Sequence, residues 1–378
     1  MLLTVGCSPT ADPVSAGVDG AGYEASQEWV GSTPAGLTAA VTGGSRRHAD
    51  DIVVLAGWSR DYRLALRAQS RLLAGRTDGR SQLAAASLSL AARDGLVQDD
   101  AAFAALLVRA GELAPDDSLI AWLERLACPA SQPACRPERA LARLQRLDPD
   151  NAATWLAALA DAVAGGDQAM IDRTLDRAGQ AGHFDSYWGE TGHFFDATLA
   201  TVSLPPRTAA VLDAQRVGNG AAPTDAELRS VHAIAMASAI ATPAFAALLR
   251  SCRGHDAGVA AARRSSCLSV ATLLAHSDTL IGRRIGLGLA VRLTADQPTG
   301  TAWREHLRRL LWLEQQTLGM GSPMPPRYAQ SLWHVGEIAA LQAWMTSIGR
   351  PLIPPTGWLP GNAENRALVT TGRPPPRG

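Results

Sequence analysis

From about residue 48 to 348, Ala and Leu recur at three- and four-residue spacing, with Arg, Asp, Glu and Gln between them. That period matches the 3.6 residues of an α-helical turn and predicts one amphipathic helix after another. Alternating β-branched runs bounded by turns, the mark of strands, are essentially absent. Residues 8–47 break the pattern, being rich in Gly, Ser, Pro and Ala without sustained periodicity, and read as a flexible tether. Beyond 349 the chain turns proline-rich, in RPLIPPTGWLPGN and TTGRPPPRG, which predicts an extended tail with Trp358 docking back onto the helices. The pattern therefore predicts an all-α protein: repeat-like helices over 48–203, a C-terminal helical region over 204–348, and the tail over 349–378.

Helix ends carry their own signals. Thr224 and Glu227 fit a capping box, in which hydroxyl and carboxylate satisfy each other's backbone N–H groups. Thr242-Pro243 fits an N-cap and first-turn proline, and Ser277-Asp278 a further start. Asp150 or Asn151 caps the helix that follows, and Gly165-Gly166 ends it, since glycine tolerates the left-handed C-cap conformation.

A longer period runs beneath the helical one. LAPDD at 113–117 recurs as LDPDN at 147–151, so Pro115 and Pro149 are 34 residues apart. Trp122, Trp155 and Trp188 follow one another at intervals of 33. A period near 34 marks stacked helix–turn–helix units. The unit DNAATWLAALADAVAGGDQAMIDRTLDRAGQ resembles a tetratricopeptide (TPR) repeat: Trp155 takes the early aromatic position, Gly166-Asp167 the turn, and Leu175 and Ala178 the packing positions. Ala158-Leu159 stand where the family has Leu-Gly, and Ile171 where it has a small Ala. The resemblance covers about 80 to 120 residues and implies a superhelix of antiparallel helix pairs whose repeat core includes Trp122, Trp155, Trp188, Pro115, Pro149 and Gly166. Stacked pairs of this kind present a concave, partner-binding surface.

Charge narrows the function class. Acidic and basic residues balance to a net charge of zero, and the basic side chains are all Arg. Interspersed signs give no electrostatic footprint for nucleic acid. No run of 18 apolar residues suggests a membrane span. MLLTVGC, residues 1–7, resembles the end of a bacterial lipoprotein signal, with Gly6 before the cleavage point and Cys7 as the lipidated residue; Thr4 departs from the usual Leu, and the upstream basic and apolar regions are missing. The resemblance implies a membrane anchor facing the periplasm. The other cysteines fall into two local pairs, Cys128/Cys135 and Cys252/Cys267. Four cysteines allow three connectivities, and proximity favours the local one. Such pairing suits an oxidising compartment. Zinc is the rival, but separations of seven and fifteen do not match zinc-ligand spacing, and no histidine lies near the first pair.

Chemistry-bearing motifs are few. The chain has no HExxH, P-loop, GxSxG or dinucleotide fingerprint. GRRIGLGLAVR at 282–292 reads as helix packing, ARRSSC at 262–267 as the surroundings of a bridged cysteine, and WREHLRRLLWLEQQ at 303–316 as a core-facing amphipathic helix. His232, His276, His306 and His334 each stand singly in a helical segment. The richest stretch is GHFDSYWGETGHFF at 182–195. At 100° per residue, Gly192, Phe195, Leu199 and Val202 share a face with Trp188 and form a core stripe. His193 lies off that stripe, and His183 precedes the helix, so the two are poorly placed to share a metal. No cofactor is implied. The expected function is a lipid-anchored scaffold for envelope proteins or peptides; the alternative is a periplasmic hydrolase with its site over 183–196, using Glu190 or His193 as acid or base.

Overall fold

The computed structural model describes residues 47–92, 101–128, 132–216, 221–240, 245–252, 261–318 and 326–375. Cys7, the tether and the Thr242-Pro243 cap lie outside them. Among the described residues every regular element is a helix, as the periodicity predicts. The first seven are α1 (Arg47–Ala74), α2 (Gly79–Ala91), α3 (Ala101–Leu113), α4 (Ser118–Ala127), α5 (Pro137–Leu147), α6 (Ala152–Ala164) and α7 (Gln168–Gln180). They are followed by α8 (Trp188–Ala200), α9 (Ala209–Gln215), α10 (Asp225–Ile240), α11 (Phe245–Cys252) and α12 (Ala261–Ala275). The last are α13 (Leu280–Leu293), α14 (Gly300–Leu318), α15 (Pro326–Val335), α16 (Glu337–Ser347) and α17 (Ala363–Thr371).

Each of α1 to α6 packs on the next in sequence, then the order changes. α7 lies against α12 and α6 against α11, while α12, α13 and α14 pack in succession. α8 takes α2, α10 and α15 as its main partners. Just before α8, Tyr187 adopts a left-handed backbone (φ 55°), uncommon for a residue with a side chain. It turns the chain out of the preceding run.

Caps set most helix ends. Asp117, Asn151 and Asp167 each accept a backbone N–H in the first turn of α4, α6 and α7. Thr224 and Glu227 form the expected reciprocal box. Gly165 caps α6 and Gly166 follows at φ 69°. One start differs from expectation: Thr279, not Ser277 or Asp278, caps α13, accepting from the Gly282 amide, while Ser277 buttresses the Thr279 hydroxyl at 3.0 Å. The tail also differs. It contains α17, capped by Asn362, because Leu368 and Val369 find a buried seat beside α13 and α14. Trp358 docks as expected, edge-on to Trp312 with ring centres 5.1 Å apart.

The residues of the repeat-core set differ in burial. Trp122 is fully buried, but Trp155 and Trp188 are half-buried, and Pro115, Pro149 and Gly166 are exposed. The prolines and the glycine shape corners between helices, where packing does not reach them. The α8 stripe is buried as expected: Gly192, Phe195, Leu199 and Val202 all face inward. So are Leu307, Leu310, Leu311 and Leu313 of α14.

Both local cysteine pairs are bridged, Cys128–Cys135 with Cα atoms 5.5 Å apart and Cys252–Cys267 at 5.8 Å. Peptide mapping of non-reduced, exported protein is expected to recover both linked pairs. Four free thiols would contradict the pairing.

Candidate functional site

The 182–195 stretch is built onto the corner that precedes α6. Asn151 is completely buried, and its amide uses every hydrogen-bonding position. Nδ2 donates to Asp148 Oδ2 and to the Asp185 carbonyl, both at 2.8 Å. Oδ1 accepts from the Ala153 amide at 3.0 Å and the Asp185 amide at 2.9 Å. Beside it Asp150 receives the Gly182 and His183 amides, and the Ala152 amide donates to the His183 carbonyl. A short parallel pairing of Asn151 with His183 results. Asp148 then collects the Tyr187 hydroxyl at 2.5 Å, with His183 Nε2 at 3.8 Å. The Tyr187 ring sits 5.3 Å from that of the buried Trp122. Burial and the Asp148 carboxylate push the Tyr187 hydroxyl's pKa upward, so it stays a donor.

From this anchored start the polar residues of the stretch fan out. Asp185 turns back to the Tyr187 amide; burial raises its pKa, with Asp278 and Glu190 adding to the shift. Glu190 reaches Arg80 on α2 at 3.1 Å, and Arg80 also pairs with Asp117. His193 meets His334 of α15, ring centres 5.5 Å apart. His334, single in its own helix, thus has a histidine neighbour in space, while His232 packs on Tyr62 as a satisfied core residue, and burial lowers its pKa to about 4. His183 and His193 do go to different neighbours. A shallow cleft of about 430 Å³ lies beside Arg80, walled by Ala114, Pro115, Asp116, Asp117 and Ser118.

Compared with protein-family models, curated proteins and solved structures, the chain finds no match. The arrangement has to be read from its own chemistry. No group of three His, Cys, Asp or Glu side chains is placed to hold a metal ion among the described residues. Sequence reasoning missed Arg80 and Glu337 and gave Asp148 and His334 no site role, because their contacts join segments far apart in the chain. The repeated Pro-Asp corner was the one available signal, and it points to Asp150, the neighbour of Asn151.

Glu337 opens α16 behind the α12–α13 turn. Its carboxylate accepts the Leu280 amide at 2.7 Å, and the Asp278 carbonyl in return accepts the Ile338 amide at 3.0 Å. Burial, then the nearby Asp278 and Glu314 charges, raise the Glu337 pKa from about 4.5 to about 7. Below pH 4.5 the group is protonated whether the chain is folded or not. Between 4.5 and 7 the unfolded chain ionises first, so this group's contribution to stability falls as pH rises and is flat above 7. Glu337→Gln keeps the acceptor and removes the charge. It is expected to stabilise by about 1–2 kcal/mol at pH 8 and to change little at pH 4. Thermal melts of both proteins across that range check the sign.

Proposed function

We propose that the protein is a lipid-anchored helical-repeat scaffold of a bacterial cell envelope, holding other envelope proteins or peptides. The observation that carries this reading is an interlock at repeat spacing. The acid after each corner proline reaches about one repeat downstream: Asp116 to Arg146 at 3.1 Å, and Asp150 to Gly182 at 2.8 Å. Units tied corner to corner stack by nearest neighbours and expose a continuous face to a partner. TPR-like units and a superhelical course through the middle of the chain belong to this reading, supported by the 34-residue proline interval and the sequential packing of α1 to α7. The Arg80 cleft, with paired Arg and Asp at its wall, suits a polar peptide segment. Cys7 supplies the anchor and residues 8–47 the reach, while the two bridged pairs fit a compartment outside the reducing cytosol.

Affinity purification from solubilised envelopes tests the reading. One protein is expected to co-purify at near-constant ratio with the wild type, and to be lost with Arg80→Glu. Recovery of nothing above background, or of the same set with the variant, would count against it. A Cys7→Ser variant is expected to leave the membrane fraction.

One observation favours a second reading, an envelope hydrolase: His183 and Tyr187 share the Asp148 carboxylate, as an acid–base group would. Hydrolysis of cell-wall material that disappears in His183→Ala would support it.

A further inference from the structure

α8 and α15 meet at Gly192. The ring of Trp333 fills the place a Cβ at 192 would occupy, and that ring packs on Trp188 with centres 5.0 Å apart. The next residue on each helix is a histidine. His193 and His334 are both exposed, and their ring centres lie 5.5 Å apart across the seam with planes inclined 59°. The acids of α8 and the one that opens α16 are engaged elsewhere: Glu190 with Arg80, Asp196 with the Ser230 hydroxyl at 2.9 Å, and Glu337 with the Leu280 amide.

The separation of the two imidazoles is the informative number. A transition-metal ion sits ~2.0 Å from each coordinating nitrogen, which puts each ring centre ~3.2 Å away and two rings at a tetrahedral angle ~5.2 Å apart. The observed 5.5 Å is within a few tenths of an ångström of that.

We propose that His193 and His334 form a two-imidazole site for a divalent transition-metal ion, with water in its remaining positions. Imidazole nitrogen selects Cu²⁺, Ni²⁺ and Zn²⁺ over Mg²⁺ and Ca²⁺, which prefer oxygen, and copper binds tightest in the series. Two packed helices hold the ligands, so little ordering remains for the ion to impose. Without a third protein ligand among the described residues the ion is exchangeable. Protons compete for the same nitrogens, so uptake weakens on acidification. The bound ion ties α8 to α15 and raises the melting temperature by mass action.

The test uses the full chain, stripped with EDTA and desalted, then titrated with CuCl₂ under calorimetry and electron paramagnetic resonance. One Cu²⁺ per chain is expected at this site, with hyperfine structure from two nitrogens. His193→Ala and His334→Ala are each expected to weaken it at least about tenfold, while melting like the wild type in EDTA. His276→Ala, at an exposed histidine just past the end of α12, is expected to bind normally. No saturable uptake, or uptake unchanged in either His193→Ala or His334→Ala, would overturn the site.

Discussion

Gly286→Ala is expected to destabilise the protein by roughly 2–3 kcal/mol, the usual cost of forcing an extra methyl into a close-packed contact. Gly288→Ala, two residues further along α13, is expected to stabilise it by up to about 1 kcal/mol, the ordinary helix-propensity gain. The difference lies in what a Cβ meets. At 286 it would collide with the backbone at Leu274 and Ala275 of α12, which cannot swing aside. At 288 nothing lies within 4 Å. To admit the methyl, α12 and α13 must separate, opening the cluster of Cys267, Val270, Leu274, Ile285 and Leu289. Urea unfolding of the two variants beside the wild type measures both effects, and equal shifts would contradict the close approach.

Asn151→Ala is expected to cost about 3 kcal/mol, from four side-chain hydrogen bonds at about 1 kcal/mol each, less whatever water recovers. The loss should spread beyond the helix cap. Two of the four bonds hold the Asp185 backbone, so hydrogen exchange at residues 182–187 should accelerate with the fall in stability. An N-cap acting on α6 alone would cost nearer 1 kcal/mol and leave 182–187 unchanged. Exchange mass spectrometry separates these outcomes.

The contrast between the two roles of Asn151 shows what the sequence made legible. Its capping role follows from neighbours within four residues, and local signals were readable throughout: helix periodicity, the Thr224 box, the Gly165-Gly166 stop and, at separations of seven and fifteen, both cysteine pairs. Its second role depends on a segment 34 residues on, and only the repeated Pro-Asp corner hinted at it. α8 was legible as a helix with a buried stripe. Its partners were not, because they follow from the left-handed turn at Tyr187, a conformation that a tyrosine does not advertise. The same limit hid the His193–His334 pair and the Arg80–Glu190 bridge, each joining elements more than 100 residues apart. In the tail, proline content masked α17, whose Asn362 cap and Leu368-Val369 face are ordinary helix signals in a short segment.

The scaffold reading stands or falls on whether a partner enters the cleft beside Arg80. A photo-crosslinking amino acid at position 116, in the exposed wall of that cleft, answers this in living cells; the same probe at exposed position 173 on α7 serves as control. The account predicts one discrete adduct from position 116, absent from position 173 and lost with Arg80→Glu. No adduct from position 116, or the same diffuse products from both positions, would contradict it.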